Sequence, residues 1–325
     1  MARRGRPSRA SLAARPVSWL AVGALRGVRR LLRALPLERS LAIGAAGGRL
    51  FARASRSRAA VARINLRHAF PDWSEAERER VRLAALENLG RGVAETARLL
   101  DLTPEEVRLR IRVEGWEHLE AARRRSPTGG ALVLTAHFGS WELCAAAMAL
   151  HGLPLSIVHR TNNNPIVDRL VVGGREQLGI EVLARGSAAR AAIGALRRGR
   201  LLVVPLDQNA RREEGIFVPF FGVAACTRDA PARLAGRLQV PVVPAGMFRI
   251  GTTPRHLLRI WPALELQTEG ADPSAAVSEN VARMTRALEE MIREAPELWI
   301  WHHRRFRTRP DGAPRIYPSA RFNGK

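Results

Sequence analysis

The sequence has only two cysteines and one tyrosine, and these shortages exclude several classes of protein. Cys144 and Cys226 have neither the spacing of a zinc or redox motif nor the number expected of a disulfide-stapled domain. We therefore expect both thiols to be reduced and packed in the interior. A single tyrosine leaves few aromatic platforms on which single-stranded nucleic acid could stack.

Long apolar runs are also missing. No stretch reaches the roughly 18 apolar residues that a membrane-spanning helix requires. The apolar run 19–25 is short and arginines follow it directly, which is not the pattern of a cleaved signal peptide. A segment that lies on a membrane is therefore favoured over one that crosses it.

Acidic residues are outnumbered by basic ones, 30 against 53, which gives a net charge of +23. Lys325 is the only lysine, so the positive charge is almost entirely arginine. Residues 1–71 hold sixteen arginines and one acid, Glu38. A charge distribution this polarised favours an anionic partner, namely a membrane surface, nucleic acid or an acidic carrier.

Residues 17–35 are predicted to form a basic amphipathic helix. The apolar side of the helical wheel holds Val17, Leu20, Ala24, Val28, Leu31, Leu32 and Leu35, and the other side holds Arg26, Arg29, Arg30 and Arg33. Such a helix suits an anionic lipid surface, and packing on its own domain is the alternative. The glycine-rich apolar stretch 41–51 extends the same membrane-facing surface in this interpretation.

The rest of the chain predicts an α/β fold, in which a helical N-terminal section precedes a helix-covered, largely parallel sheet. Strands are predicted at 131–136, 154–159, 180–183, 200–206, 241–250 and 256–261, and helices at 74–100, 141–151, 165–178, 187–198, 228–238 and 275–294. We divide the chain into a disordered basic tail (1–16), a membrane-facing segment (17–52), a main domain (53–310) and a C-terminal tail (311–325).

The strongest candidate for chemistry is the pair His137 and Glu142. His137 follows the strand 131–136, and Gly139 and Ser140 form the turn into the next helix. If Ser140 caps that helix, Glu142 lies in its first turn and can reach back to orient the imidazole as a general base. The alternative is a buried histidine bonded to backbone, beside an ordinary acid at the start of a helix.

Other reaction types have weaker support. Ser140 is not in a nucleophile elbow, because glutamate stands at position 142, where such a turn requires glycine. His302 and His303 are adjacent and have no partners at metal-ligand spacing, so no metal site is predicted.

Five stretches carry motifs that resemble those of one enzyme family in the same order. They are HFGSWE at 137–142, NLRHAFP at 65–71, Asn164-Pro165 with Asp168, DQ at 207–208 followed by FVPFFG at 217–222, and PELWIWHHRRF at 296–306. The first is similar to the H-x-x-x-x-[D/E] signature of glycerolipid-type acyltransferases. Together they resemble the lipid A biosynthesis (lauroyl/myristoyl) acyltransferase family over about residues 20–307.

This resemblance implies transfer of a fatty acyl chain from acyl carrier protein or coenzyme A to a hydroxyl of a lipid A precursor. His137 would be the general base and Glu142 would orient it, with no covalent intermediate and no metal or other cofactor. The thioester donor, a membrane glycolipid and an anionic membrane surface would be the partners. The protein would lie at the cytoplasmic face of the bacterial inner membrane, peripheral or monotopic through its N-terminal segment.

The resemblance also implies residues that contact the substrates. Arg160 is the candidate oxyanion donor, in competition with backbone amides after His137. Asp207 and Gln208 should emerge on the face that carries His137, because they end the strand 200–206. Further candidates for substrate contacts are Asn164, Asp168 and Arg228. Plausible phosphate ligands are Arg228, Arg233, Arg304 and Arg305, and the alternative for each is an ordinary solvated charge. Phe217, Phe220 and Phe221 form an apolar loop that either walls the acyl channel or packs in the core.

Three alternative interpretations of the sequence have to be considered at this point. The acceptor could be a phosphatidylinositol mannoside, another glycolipid or a lysophospholipid, since related enzymes share these motifs. A catalytically inactive membrane-surface protein of the same fold would have the same composition. A nucleic-acid-binding protein would explain the charge, but helix-turn-helix, zinc-finger and RNP signatures are missing from the sequence, and we expect no nucleic-acid partner.

Overall fold

A computed structural model describes residues 23, 27–159, 165–184, 188–267 and 272–318. Its strands are β1 (Ile111–Glu114), β2 (Ala131–Thr135), β3 (Leu155–His159), β4 (Glu181–Ala184), β5 (Leu201–Pro205), β6 (Gly215–Phe220), β7 (Val223–Arg228), β8 (Val242–Arg249) and β9 (His256–Ile260). Seven strands form one sheet in the order β1-β9-β8-β2-β5-β3-β4, and β6 and β7 form a separate hairpin. Neighbouring strands of the sheet are parallel except for β8 and β9.

Helices cover both faces of the sheet. They are α1 (residues 27–34), α2 (Leu37–Ala54), α3 (Arg56–Ala69), α4 (Glu75–Thr96), α5 (Pro104–Arg110), α6 (Trp116–Arg125), α7 (Trp141–Leu150), α8 (Pro165–Gln177), α9 (Ala188–Arg197), α10 (Ala230–Leu238) and α11 (Pro273–Glu294). From β2, Leu132 and Leu134 belong to the core that contains α9, α10 and α11, whereas Val133 belongs to the core that contains α7. Burial on both faces explains the continuous apolar run of this strand. The predicted α/β fold with a largely parallel, helix-covered sheet is confirmed.

The glycine-rich stretch 41–51 forms the crossing between α2 and α4. A Cβ atom on Gly44 would lie 2.3 Å from the carbonyl oxygen of Gly90, and one on Gly48 would lie 2.1 Å from that of Leu86. The two backbones therefore touch, and only glycine permits so close an approach.

The other side of these N-terminal helices is apolar and exposed. Its residues are Val28, Leu31, Ile43, Leu50 and Phe51, of which Leu50 is 66% exposed. Two arginines of α1 contact the protein instead: Arg29 donates to the carbonyl of Ala97, and Arg33 pairs with Asp101. Residues 17–22 and 24–26 of the predicted amphipathic helix lie outside the described residues. Of the helices in the described ranges, none is long and apolar enough to cross a membrane.

A buried ionic cluster joins α4 to the sheet. The Glu95 carboxylate accepts two hydrogen bonds of 2.7 Å from Arg249 at the end of β8. It also lies 2.7 Å from His256 Nε2 at the start of β9. Burial opposes ionisation of Glu95, but His256 and Arg249 outweigh it and hold the pKa of the carboxyl at about 2. The cluster fixes the helical section against the domain that carries the site.

The structure corrects the prediction that residues 217–221 form a loop. They form strand β6 and the turn that follows it, in which Phe221 and Gly222 have φ angles of 49° and 73°. Positive φ at both central residues is the geometry of a two-residue type I′ hairpin turn. The predicted start of a helix at residue 228 is also wrong. Arg228 is the last residue of β7, and helix α10 begins at Ala230.

Candidate functional site

The site lies at the carboxyl edge of the sheet, where β2 and β5 end side by side. Thr135 is paired with Pro205 in the parallel register, so His137 and Asp207 each stand two residues beyond a neighbouring strand. His137 Nδ1 is 2.9 Å from Asp207 Oδ1, and the backbone N–H of His137 donates to Asp207 Oδ2 over 3.1 Å. The sheet therefore brings together two residues that are 70 positions apart in the chain.

Asp207 is buried and held as a carboxylate. The indole N–H of Trp299 donates to Oδ2 over 2.9 Å, in addition to the two contacts from His137. Burial by itself would raise the pKa of Asp207, but the charge of His137 and these hydrogen bonds outweigh burial and lower the pKa to about 2. A permanent negative charge therefore lies against the imidazole at neutral pH.

The two ring nitrogens of His137 have different partners: Nδ1 faces Asp207, and Nε2 faces the side-chain amide of Gln208. Because Asp207 can only accept, Nδ1 carries the proton and Nε2 carries the lone pair. The side-chain amide nitrogen of Gln208 lies 3.3 Å from both ring nitrogens, further than Asp207 lies from Nδ1. Burial disfavours the charged ring, but the Asp207 carboxylate and then Glu142 outweigh burial and raise the pKa of His137 above its ordinary value. The ring is thus equipped to accept a proton at Nε2.

The turn after His137 depends on a glycine. Gly139 has a φ of +56°, and a Cβ atom there would lie 1.9 Å from the carbonyl oxygen of Met247. The Gly139 N–H donates to the carbonyl of Leu298, and the next residue, Trp299, donates to Asp207. One segment of the chain therefore holds both the turn and Asp207. Ser140 occupies the N-cap position of α7, but its side chain makes no capping hydrogen bond, which corrects the expected capping role.

Glu142 lies in the first turn of α7, as expected, but its carboxylate is bound to Arg175 in the last turn of α8. Arg175 donates to Glu142 over 3.2 Å from Nε and 2.6 Å from a terminal nitrogen. The carboxylate on His137 Nδ1 belongs to Asp207, so the structure corrects the expectation that Glu142 orients the ring through that nitrogen. Glu142 acts on His137 through its charge.

The Arg175 guanidinium continues this network toward two other predicted residues. It lies 3.5 Å from His159 Nδ1, and His159 Nε2 lies 2.7 Å from the carboxylate of Asp168. Asp168 is thus joined to Glu142 through His159 and Arg175. The candidate oxyanion donor Arg160 and the candidate Asn164 lie outside the described residues.

Gln208 also lines a cavity of about 560 Å³ that opens beside the His137–Asp207 pair. Its arginines are Arg58, Arg211, Arg228, Arg304 and Arg307. The sequence indicates Arg228 and Arg304 as plausible phosphate ligands but does not bring the five arginines together. We call this space the arginine cavity.

The predicted channel residues have core positions. Phe220 and Phe221 are 0% and 5% exposed and pack against Trp299 and Trp301, respectively. This is the packing role that the sequence left as the alternative to a channel wall. Phe217 is half-buried, with the Arg212 guanidinium 5.4 Å from its ring centre.

Arg305, which stands beside the arginine cavity, is a buried support for the site. It is fully buried and donates to the carbonyls of Gln208 and Cys226 over 3.2 and 2.8 Å. Its guanidinium is 5.0 Å from the centre of the Phe220 ring. Burial lowers the pKa of Arg305 to about 10. Arg305 therefore fixes the end of β5 to the β6–β7 hairpin.

Neither cysteine is equipped as a nucleophile. Cys144 and Cys226 are buried and unpaired, and burial raises the pKa of the Cys144 thiol to about 12. Among the described residues, no group of three or more His, Cys, Asp or Glu side chains could hold a metal ion. The chemistry that the described side chains support is acid–base: a histidine polarised by a buried carboxylate, suited to activating a hydroxyl.

Comparison with known proteins assigns this chain to a family. Residues 7–308 match the family model described as bacterial lipid A biosynthesis acyltransferase. The match covers nearly the whole chain, and the protein belongs to this family of acyltransferases. The resemblance in the separate motifs is thereby confirmed.

Individual relatives are similar over most of their length. The chain is 30% identical over 305 residues to the lipid A biosynthesis lauroyltransferase of Escherichia coli (strain K12), covering 93% of this chain and 94% of that protein. It is 31% identical over 264 residues to the palmitoleoyltransferase of the same strain, covering 80% and 82%. It is 27% identical over 300 residues to the myristoyltransferase of that strain, covering 92% and 90%. The relatives are named for three different acyl chains, so similarity leaves the chain length open.

Proposed function

We propose that this protein transfers a fatty acyl chain from a thioester of acyl carrier protein or coenzyme A to a hydroxyl of a lipid A precursor. The observation that carries the proposal is the His137–Asp207 pair, in which Nδ1 is committed to a buried carboxylate and Nε2 therefore carries the lone pair. The names of the relatives support transfer of a fatty acyl chain in lipid A biosynthesis, and the thioester donor is part of the proposal. Other glycolipid acceptors are the alternative, because the same pair would activate any hydroxyl.

In this mechanism the acceptor hydroxyl attacks the thioester carbonyl while His137 Nε2 removes its proton. The new C–O bond gives a tetrahedral oxyanion, and the imidazolium is stabilised by the Asp207 carboxylate. When the C–S bond breaks, the imidazolium returns the proton to the departing thiolate, which leaves as a thiol. No acyl-enzyme forms. Arg160 remains the proposed donor to the oxyanion, and Glu142 adds negative charge near the imidazolium.

We also propose that the protein lies on the cytoplasmic face of the inner membrane through α1 and α2. Their exposed side chains include Leu31, Leu50 and Phe51, which are 53%, 66% and 42% exposed. Such side chains suit insertion among lipid head groups, and the arginine excess of the chain suits anionic lipids. In sedimentation and mobility-shift assays, we expect binding to anionic liposomes and no tight binding to nucleic acid at physiological salt.

The experiment is a transfer assay with purified protein, labelled acyl donors on carrier protein or coenzyme A, and a lipid A precursor as acceptor. We expect His137→Ala to reduce the rate by about 10² to 10⁴. His151→Ala is the matched control, because His151 is exposed at the end of α7 and should leave the rate unchanged. The proposed mechanism uses no metal, so activity should survive excess EDTA. Transfer by His137→Ala at the wild-type rate would contradict the mechanism.

A further inference from the structure

The arginine cavity carries more charge than the proposed proton transfer needs. Five arginines line it, and the carboxylate among its lining residues is that of Glu214. Like charges gathered around one space repel each other, so their apposition favours an anion between them. The cavity adjoins the reacting groups, because Gln208 both lines it and contacts the ring of His137.

Most of this charge is uncompensated. Arg228 pairs with Glu214 at 3.2 Å, whereas Arg58, Arg211, Arg304 and Arg307 form no ion pair within the described part of the chain. Ion pairs with Asp or Glu are common elsewhere in this protein, including one between Arg233 and Asp229 only five residues from Arg228. Four of the five arginines thus have no carboxylate partner among the described residues, which leaves their charges available to a bound anion.

The cavity is also lined by a histidine that is neutral at neutral pH, His303. His303 Nε2 accepts a hydrogen bond of 3.2 Å from the backbone N–H of Asn209. Burial is the largest effect on His303 and lowers its pKa. The negative charge of Asp207 opposes burial but is smaller, so the pKa falls to about 4. The positive charge of the cavity at neutral pH is thus the charge of its arginines, which does not titrate in that range.

We propose that the arginine cavity binds a phosphate monoester on the sugar head group of the acceptor lipid and so holds the acceptor hydroxyl near His137. This inference rests on the proposed function. A phosphate monoester carries nearly two negative charges and three acceptor oxygens, which suits several guanidinium groups better than a single carboxylate would. A volume of about 560 Å³ has room for a sugar as well as its phosphate.

The position of the cavity favours the acceptor over the phosphate of a thioester donor. Ser57 and Arg58 line the cavity at the start of α3, directly after the end of α2. The exposed Phe51 of α2 contacts the ring of His302, next to His303 of the cavity, with ring centres 6.2 Å apart. The cavity therefore adjoins the surface that we propose lies on the membrane, where the head group of a lipid acceptor would be.

The test measures KM for both substrates with Arg304→Gln and Arg307→Gln. With the phosphorylated acceptor, we expect each variant to raise the acceptor KM about tenfold to a hundredfold and to leave the donor KM unchanged. Wild-type protein should show a similar or larger loss with the dephosphorylated acceptor, and the variants should distinguish the two acceptors less than wild type does. Arg237→Gln is the control, since Arg237 is an exposed arginine of α10 away from the cavity lining.

Two outcomes would overturn the proposal. One is a raised donor KM with an unchanged acceptor KM, which would assign the cavity to the donor phosphate. The other is no change in either constant.

A binding measurement separates this proposal from the proposed function. The probe is the deacylated, water-soluble head group of the lipid A precursor, with and without its phosphates, titrated by calorimetry. We expect wild-type protein to bind only the phosphorylated form, and Arg304→Gln to weaken that binding by about tenfold or more. Binding without acyl transfer would refute the proposed function alone. Transfer without phosphate-dependent binding would refute the phosphate site alone.

Discussion

Replacing Asp207 with asparagine isolates the contribution of one charge to the proposed general base. The side chain keeps nearly the same size, and its oxygen can still accept from the Trp299 indole. The change removes the negative charge that lies 2.9 Å from His137 Nδ1. It also allows an amide N–H to face Nδ1, which would place the imidazole proton on Nε2, the atom that must accept a proton.

The size of the effect follows from the pKa of Asp207. The fall in that pKa from 3.8 to about 2 corresponds to roughly 2 kcal/mol of net interaction in favour of the charged carboxylate. Loss of an interaction of that order with the imidazolium would slow the reaction by about 30-fold. If the wrong tautomer is also stabilised, kcat should fall by about 10² to 10⁴.

The pH dependence provides the direction of the test. His137 acts as a base in its neutral form, so the wild-type rate should rise with pH through a pKa above the ordinary value of 6.5. In Asp207→Asn the carboxylate no longer raises this pKa while burial still lowers it, so the rise should move to lower pH. The assay is kcat against pH with saturating substrates, and circular dichroism checks the fold. A kcat within about threefold of wild type, with the rise in place, would refute the reasoning.

Three further substitutions test separate parts of the site and fold. Arg175→Met should move the rise of kcat to higher pH, opposite to Asp207→Asn, because the charge of Arg175 lowers the pKa of His137; an unchanged profile would contradict this. Gly139→Ala should cost about 3 kcal/mol or more in thermal unfolding, whereas Gly152→Ala, also at positive φ but in open space, should cost only about 1 kcal/mol. Glu95→Gln should cost about 3 to 5 kcal/mol in urea unfolding by leaving a buried arginine unpaired; a loss below about 1 kcal/mol would show that the cluster relaxes.

The sheet was predictable where the sequence contains its own boundaries. Strands β2 and β5 are continuous apolar runs with glycine just before them, and their predicted positions are correct within a residue or two. Strand β1 was missed because it begins at Ile111, directly after Arg110 of α5, with no turn residue between them. The β6–β7 hairpin was missed because Pro219 argues against a strand and its turn is Phe-Gly rather than Asn-Gly.

The partner of His137 could not be found from spacing along the chain. Glu142 is near in sequence, and a plausible helix start made it the apparent orienting carboxylate. Asp207 follows β5, which is separated from β2 in the chain by β3 and β4 but lies beside it in the sheet. Strand order is set by crossover packing, which a single sequence does not encode locally. The equal two-residue offset of His137 and Asp207 from their strand ends was the available signal.

The arginine cavity illustrates a different limit of the sequence. Its arginines come from four separate regions, around residues 58, 211, 228 and 304–307. In a chain with 53 basic residues, no single arginine stands out as a ligand. Only the fold shows which of them face one space and which have no carboxylate partner among the described residues.

The most direct test of acyl transfer to a lipid A precursor is mass spectrometry of lipid A from the bacterium that carries the gene, with and without a deletion of that gene. We predict that the deletion removes the mass of one acyl chain from lipid A. The wild-type gene should restore that chain, and the His137→Ala gene should not, at equal protein levels. An unchanged lipid A after deletion would contradict the proposed acyl transfer, and restoration by the His137→Ala gene would contradict the role of His137 as general base.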